Sequence, residues 1–140
     1  MFVGAGLRVG DIMVSLLIVS HSAQLAAGVC EFVAQVADAD LQIRAAGGLP
    51  DGGLGTNVER IQTGLEQIAS ADGTLVLVDM GSAVISVEMA IEILGATQVL
   101  ISDAPLVEGA YLAALEASAG ASLEDVAAAA LQAREMIKVH

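Results

Sequence analysis

A chain of 140 residues suffices for one domain and leaves little room for a second. With 56% hydrophobic but only 2% aromatic residues, the core must be assembled from Ala, Val, Ile and Leu, which suits helices packed closely on a sheet. A net charge of −12, with Lys138 the only lysine, repels phosphate backbones and anionic lipid; it argues against nucleic-acid and membrane-surface roles and favours a partner with a basic docking face. A solvated acidic surface that aids solubility accounts for the charge equally well.

No apolar run approaches the roughly 18 residues that cross a bilayer. The longest, Val14 to Val19, is broken by Ser15 and reads as a buried strand. Cys30 stands alone, which rules out an internal disulfide and a thiolate metal site, and its neighbours Ala26, Val29 and Val33 place it in packing. The start of the chain lacks the basic region and cleavage site of a signal peptide, so a cytoplasmic protein is expected.

Residues 1–12 carry three glycines and no clear period. They are expected to be a poorly ordered extension ahead of a natural start at Met13, with a single domain over 13–140. From Met13 the pattern alternates. A strand over 13–19 leads to a helix near 23–37 with Leu25, Val29, Phe32, Val33 and Val36 on one face. A short strand at 41–45 and a glycine-rich loop at 46–56 precede a helix near 57–70 that uses Val58, Ile61, Leu65 and Ile68. The run at 74–79 is continuously apolar up to Asp79, as expected of a strand covered on both faces. A helix at 83–94 turns Val87, Ala90, Ile91 and Leu94 inward, and a strand follows near 97–102. The tail predicts a helix over 106–119 stopped by Gly120, then a last helix that Ser122 and Asp125 open as a capping box and that runs to Ile137.

The order βαβαβαβαα predicts an α/β fold of three layers, an open, mostly parallel sheet with helices on both faces. Sites in such sheets lie at the carboxyl ends of the strands where the strand order reverses. That position falls over the first and third strands, and the polar residues there are His21 and Asp79. A neutral imidazole at a strand end can accept a phosphoryl group and release it; a capping or merely exposed histidine is the plainer alternative. Asp79 can hold one ring nitrogen of His21 and turn the other outward, and it can equally serve the dipole at the start of a helix. His140, at the terminus, is read as inert.

The segment Met80-Gly81-Ser82 opens the third helix, where a glycine lets an oxyanion approach unpaired N–H groups. Gly47, Gly48, Gly55 and Thr56 can close the other side of the pocket, although turn chemistry explains many such glycines. No Gly-Lys-Ser/Thr and no GxGxxG in the first βα turn occurs, so the loop is neither a Walker motif nor a dinucleotide fingerprint. The cations are Arg8, Arg44, Arg60, Arg134 and Lys138, none of them within these segments. An anion is therefore expected to meet backbone N–H groups near Ser22 and at Gly81-Ser82, with the Thr56 hydroxyl.

The segments IVSHS at 18–22, AAGG at 45–48, GT at 55–56, VDMGSA at 78–83 and APLVEG at 104–109 together resemble the phosphotransferase subunit of bacterial dihydroxyacetone kinase, the DhaM type. Its domain is similar to the IIA domain of mannose-family sugar phosphotransferase systems. The resemblance covers residues 13–137 and implies a mannose-type IIA fold, a homodimer, and a phosphotransferase role. His21 would be charged by the phosphocarrier HPr and would pass its phosphoryl group to ADP on a DhaL subunit, which serves the dihydroxyacetone-binding DhaK subunit. The phosphoryl-binding set carried by these motifs is Ser22, Gly47, Gly48, Thr56, Met80, Gly81 and Ser82. The reading includes no cofactor and no metal. Some relatives carry HPr-like and enzyme-I-like domains after this one; their absence up to His140 implies reliance on separate proteins.

The nearest alternative is a IIA domain that passes phosphate to a IIB domain in sugar transport; APLVEG and DMGSA favour the kinase branch. A receiver module would place a phosphoacceptor where Asp79 stands, but Ser20-His21-Ser22 occupies the place of its acidic pair. Ser22, His21 and Asp79 supply hydrolase residue types without a G-x-S-x-G elbow.

Overall fold

The computed structural model describes residues 13–140, so the expectation for residues 1–12 lies outside the described part. The elements in chain order are β1 (Ser15–Ser20), α1 (Ala23–Ala34), β2 (Ile43–Gly47), α2 (Val58–Gln67), β3 (Thr74–Val78), α3 (Ser82–Leu94), β4 (Val99–Ser102), α4 (Leu106–Ser118) and α5 (Leu123–Leu131). A 3-10 turn at Gln132–Glu135 follows α5. The four strands form one parallel sheet in the order β2-β1-β3-β4.

Alternation along the central strands divides the core in two. Leu16 and Ile18 of β1, with Leu75 and Leu77 of β3, face α1, α4 and α5. Leu17 and Val19, with Val76 and Val78, face α2 and α3. Both strands are therefore buried on both sides, which explains their unbroken apolar sequence. Each of the fully buried leucines and isoleucines contributes about 1.5–3 kcal/mol of apolar burial. The scarcity of aromatics is met by alanine: Ala110, Ala113, Ala114 and Ala117 bring α4 close to the sheet and to α5. Gly109 permits the same approach, since a Cβ there would lie 2.7 Å from the Cβ of Ala104.

The chain runs outward from β1 to β2 through α1, then returns across β1 to β3 through α2. Right-handed crossovers in opposite directions place α1 and α2 on opposite faces and open the sheet between the carboxyl ends of β1 and β3. The layered α/β fold and the position of its switch point agree with the sequence pattern.

Several details differ. Within α1 the buried residues are Ala26, Val29 and Val33, whereas Leu25 and Phe32, expected on the inner face, are exposed. The helix phase puts small Ala26 against the sheet and leaves the larger flanking side chains at the boundary. Phe32 instead packs beside Tyr111 of α4, ring centroids 6.0 Å apart. The last helix ends at Leu131 and tightens into the 3-10 turn, because Met136 and Ile137 are exposed and find no surface to continue on. Its start is as expected, with Ser122 Oγ accepting the Asp125 N–H at 3.2 Å. Among the described residues no helix is long and apolar enough to cross a membrane.

Candidate functional site

His21 is the first residue after β1 and Asp79 the first after β3, the two strands that flank the switch point. The backbone itself holds them together, since the Asp79 N–H donates to the Val19 carbonyl at 3.1 Å. Side-chain exposure is 30% for His21 and 12% for Asp79, so the ring is reachable from solvent while the carboxylate lies beneath it.

Among the described residues, the Asp79 carboxylate collects four donors. Its Oδ1 accepts the Met80 N–H at 2.7 Å and lies 3.0 Å from His21 Nδ1. Its Oδ2 accepts the Ser20 hydroxyl at 2.9 Å and the His21 backbone N–H at 2.9 Å, and lies 3.2 Å from Nδ1. Burial alone would raise the Asp79 pKa. The bonds from the His21 N–H, the His21 ring and the Ser20 hydroxyl outweigh it and hold the carboxyl below its ordinary value. An ionised carboxylate can only accept, so Nδ1 must carry a proton and, in the neutral ring, Nε2 is the basic nitrogen. Nε2 faces outward, 3.0 Å from the Ser82 hydroxyl.

Ser82 is the first residue of α3, and Gly81 precedes it as the cap. Among the described residues, the N–H groups of Gly81 and Ser82 have no acceptor, so the positive end of a 13-residue helix opens beside Nε2. A Cβ built on Gly81 meets nothing within 4 Å, which makes this approach open space.

The other residues expected around a phosphoryl group are placed differently. The Ser22 N–H, expected to face an anion, donates to Ser20 Oγ at 3.0 Å, and Ser22 Oγ caps α1 by accepting the Leu25 N–H. Gly48 adopts φ +71° and gives its N–H to the Ser20 carbonyl at 3.2 Å. A Cβ on Gly47 would lie 2.6 Å from the Ser22 carbonyl oxygen, so these two glycines let the end of β2 press against the turn that presents His21. Thr56 bonds the Ser86 hydroxyl at 2.7 Å, one turn along α3 from Ser82, and the Gly55 N–H reaches the His21 carbonyl at 2.8 Å. The glycine-rich loop is thus tied to both sides of the site. Met80 contributes its N–H to Asp79 and leaves its side chain exposed.

Sequence reasoning passed over Ser20, Ser86 and Arg134. Ser20 ends a buried apolar strand, and only its position directly before His21 hinted at a part in the site. Arg134 lines a cleft at the ends of β3 and β4 together with Asp79, Met80 and Gly81, but its guanidinium is engaged by the Asp103 carboxylate and carbonyl. Among the described residues, no cluster of His, Cys, Asp and Glu is arranged to hold a metal.

Fold and site together define a parallel α/β domain with a histidine–aspartate pair at its switch point. The chain belongs to the EIIA-man family: the family model described as the PTS system fructose IIA component matches residues 15–127. It is 40% identical over 129 residues to the phosphoryl donor subunit DhaM of a PEP-dependent dihydroxyacetone kinase from Escherichia coli K12, covering 88% of this chain and 27% of that longer relative. The chain likewise spans 28% of the length of a DhaM relative from Pantoea ananatis, at 41% identity over 88% of this chain. A shorter relative, the phosphoryl donor subunit DhaM of PEP-dependent dihydroxyacetone kinase 2 from Listeria innocua, is 36% identical, with 81% of this chain and 94% of the relative covered. Among solved structures, the protein of unknown function EF1359 superposes with a TM-score of 0.76 at 33% identity, over 86% of this chain and 95% of that one. A sigma-54 interaction domain protein from Enterococcus faecalis shares the fold, with a TM-score of 0.68 at 20% identity over 89% of this chain and 93% of that one.

Proposed function

We propose that this chain is the phosphocarrier of a dihydroxyacetone kinase system, in which His21 Nε2 takes a phosphoryl group from phospho-HPr and passes it to ADP on a DhaL subunit. DhaK, carrying dihydroxyacetone, belongs to the same system. The observation that carries the reading is the division of labour on the His21 ring. Asp79 occupies Nδ1, while Nε2 points to solvent beside Ser82 and the free amides of α3. The names of the DhaM relatives support this acceptor over a IIB domain of a sugar transporter.

In the first transfer the Nε2 lone pair attacks phosphorus, a new N–P bond forms, and the N–P bond of the donor breaks with its electron pair returning to the donor imidazole. Asp79 stabilises the positive charge that His21 acquires. The Ser82 hydroxyl and the amides of Gly81 and Ser82 receive the phosphoryl oxygens, while Gly47, Gly48, Thr56, Ser22 and Met80 hold the surrounding turns. In the second transfer a β-phosphate oxygen of ADP attacks the same phosphorus and His21 leaves as the neutral ring. Neutral donors hold the group less tightly than an arginine clamp, which suits a carrier that must release it. The carrier works as a homodimer in the cytoplasm.

The test is incubation with phosphoenolpyruvate, enzyme I and HPr. One acid-labile, base-stable phosphate per chain is expected, lost in His21→Ala and discharged by DhaL–ADP. A His21→Ala protein that is still labelled refutes the assignment, and discharge to a IIB domain alone replaces the acceptor.

A further inference from the structure

We infer that Ser20 is a positioning residue of this site, whose hydroxyl sets the plane of the Asp79 carboxylate and thereby the direction in which His21 Nε2 points. The inference rests on the phosphocarrier reading for its kinetic consequence, though its geometry stands independently of it.

Ser20 is fully buried at the last position of β1, so water cannot replace its hydroxyl. Both capacities of that hydroxyl are used in one sense only. Asp79, being ionised, can only accept, so the Ser20 proton goes to Oδ2 at 2.9 Å. The oxygen lone pair then receives the Ser22 N–H at 3.0 Å. The bond series Ser22 N–H to Ser20 O–H to Asp79 is polarised in one direction and joins the first turn of α1 to the carboxylate.

The need for such a clamp lies in the carboxylate itself. His21 Nδ1 lies 3.0 Å from Oδ1 and 3.2 Å from Oδ2, so the ring by itself hardly distinguishes the two oxygens. Oδ1 is further fixed by the Met80 N–H. Among the described residues, the donor to Oδ2 besides the ring and Ser20 is the backbone N–H of His21, which belongs to the same residue as the ring being oriented. Ser20 is the side chain that ties Oδ2 to a separate point of the scaffold. Without it the carboxylate can turn about its terminal torsion, where preferences are broad. The ring would then be held less firmly in its Nδ1-protonated tautomer and would lose its aim at an incoming phosphorus, and small errors of aim cost rate steeply.

The experiment compares wild type, Ser20→Ala, Asp79→Asn and the double variant, each checked for cooperative thermal unfolding. Two quantities are read: the rate of phosphorylation by phospho-HPr, and the nitrogen-15 spectrum of the His21 ring in the unphosphorylated protein. Ser20→Ala should slow transfer about tenfold, the scale for a lost hydrogen bond to a charged group. In the Asp79→Asn background the same change should cost less than about twofold, because it acts through the carboxylate. The ring spectrum of Ser20→Ala should move from the Nδ1-protonated tautomer toward a mixture. Equal losses in both backgrounds, or an unchanged tautomer in Ser20→Ala, overturn the inference. If wild type accepts no phosphate at all, the phosphocarrier reading falls, and the ring spectrum alone decides whether Ser20 orients His21.

Discussion

The Ser82 hydroxyl lies 3.0 Å from Nε2 of His21, on the one ring nitrogen that Asp79 does not hold. In the proposed phosphocarrier mechanism this bond caps the nucleophile at rest and must be exchanged for a phosphoryl oxygen when the nitrogen reacts. Ser82→Ala should therefore slow phosphoryl transfer about fivefold to tenfold, consistent with one neutral hydrogen bond, while the unfolding midpoint stays within about 2 °C of wild type. Stopped-flow transfer kinetics beside a thermal melt check both halves. Unchanged kinetics would show that Ser82 plays no part in receiving the group.

Asp79→Asn retains the size of the side chain and removes its charge. Transfer should fall roughly tenfold to a hundredfold, the equivalent of about 1.5–3 kcal/mol for a hydrogen bond to a charged group. A rate within twofold of wild type would remove the orienting role.

Asp79 also predicts a pH dependence of stability. Its pKa is lower in the folded protein than in the unfolded chain, so its contribution is present in full above the unfolded value, about 3.9, and is lost as pH falls through the folded one. In urea titrations below about pH 5, the stability difference between wild type and Asp79→Asn should shrink as the pH falls. A difference that grows as the pH falls below about 5 contradicts this linkage.

Two glycines near His21 should respond in opposite ways. A Cβ on Gly47 would lie 2.6 Å from the Ser22 carbonyl oxygen and 2.9 Å from the Ala26 Cβ, so Gly47→Ala must push α1 away from β2. Overpacking of this kind costs about 1–3 kcal/mol, and chemical denaturation measures it. At Gly81 a Cβ meets nothing within 4 Å, so Gly81→Val should keep most of the stability yet abolish phosphorylation by filling the approach to the helix. A stable, fully active Gly81→Val protein would place the phosphoryl oxygens elsewhere.

Burial pushes the Cys30 thiol up to about 11, with nearby Arg44 pulling only weakly the other way. The thiolate is therefore scarce at neutral pH. Alkylation by iodoacetamide should be slow at pH 7 and rise about tenfold per unit toward pH 10. Rapid labelling at pH 7 would mean that the packing of Cys30 against the core opens readily.

Much of this molecule was legible in its one-dimensional pattern. The apolar runs that end at Ser20 and Asp79 mark strands covered on both faces, and the alternation of strands with helices places His21 and Asp79 on either side of a switch point. Those inferences succeed because parallel βαβ units have one handedness and one end at which polar residues can gather. Side-chain pairing at the site was not legible. Thr56 turns to Ser86, the Ser22 amide turns to Ser20, and Arg134 is drawn into the cleft beside Asp79 by a partner thirty-one positions away. Helix phase was legible in α3, where Val87, Ala90, Ile91 and Leu94 pack inward, and escaped in α1, where Leu25 and Phe32 are exposed while Ala26, Val29 and Val33 are buried. An alanine-rich helix offers several nearly equal apolar faces, and only the spacing of the neighbouring layers decides which one is covered. The residue order thus determined the sheet, its switch point and the two side chains, His21 and Asp79, that meet there. The tertiary structure decided which hydroxyls and amides remain free to meet a ligand, because that depends on which donors the turns have already consumed.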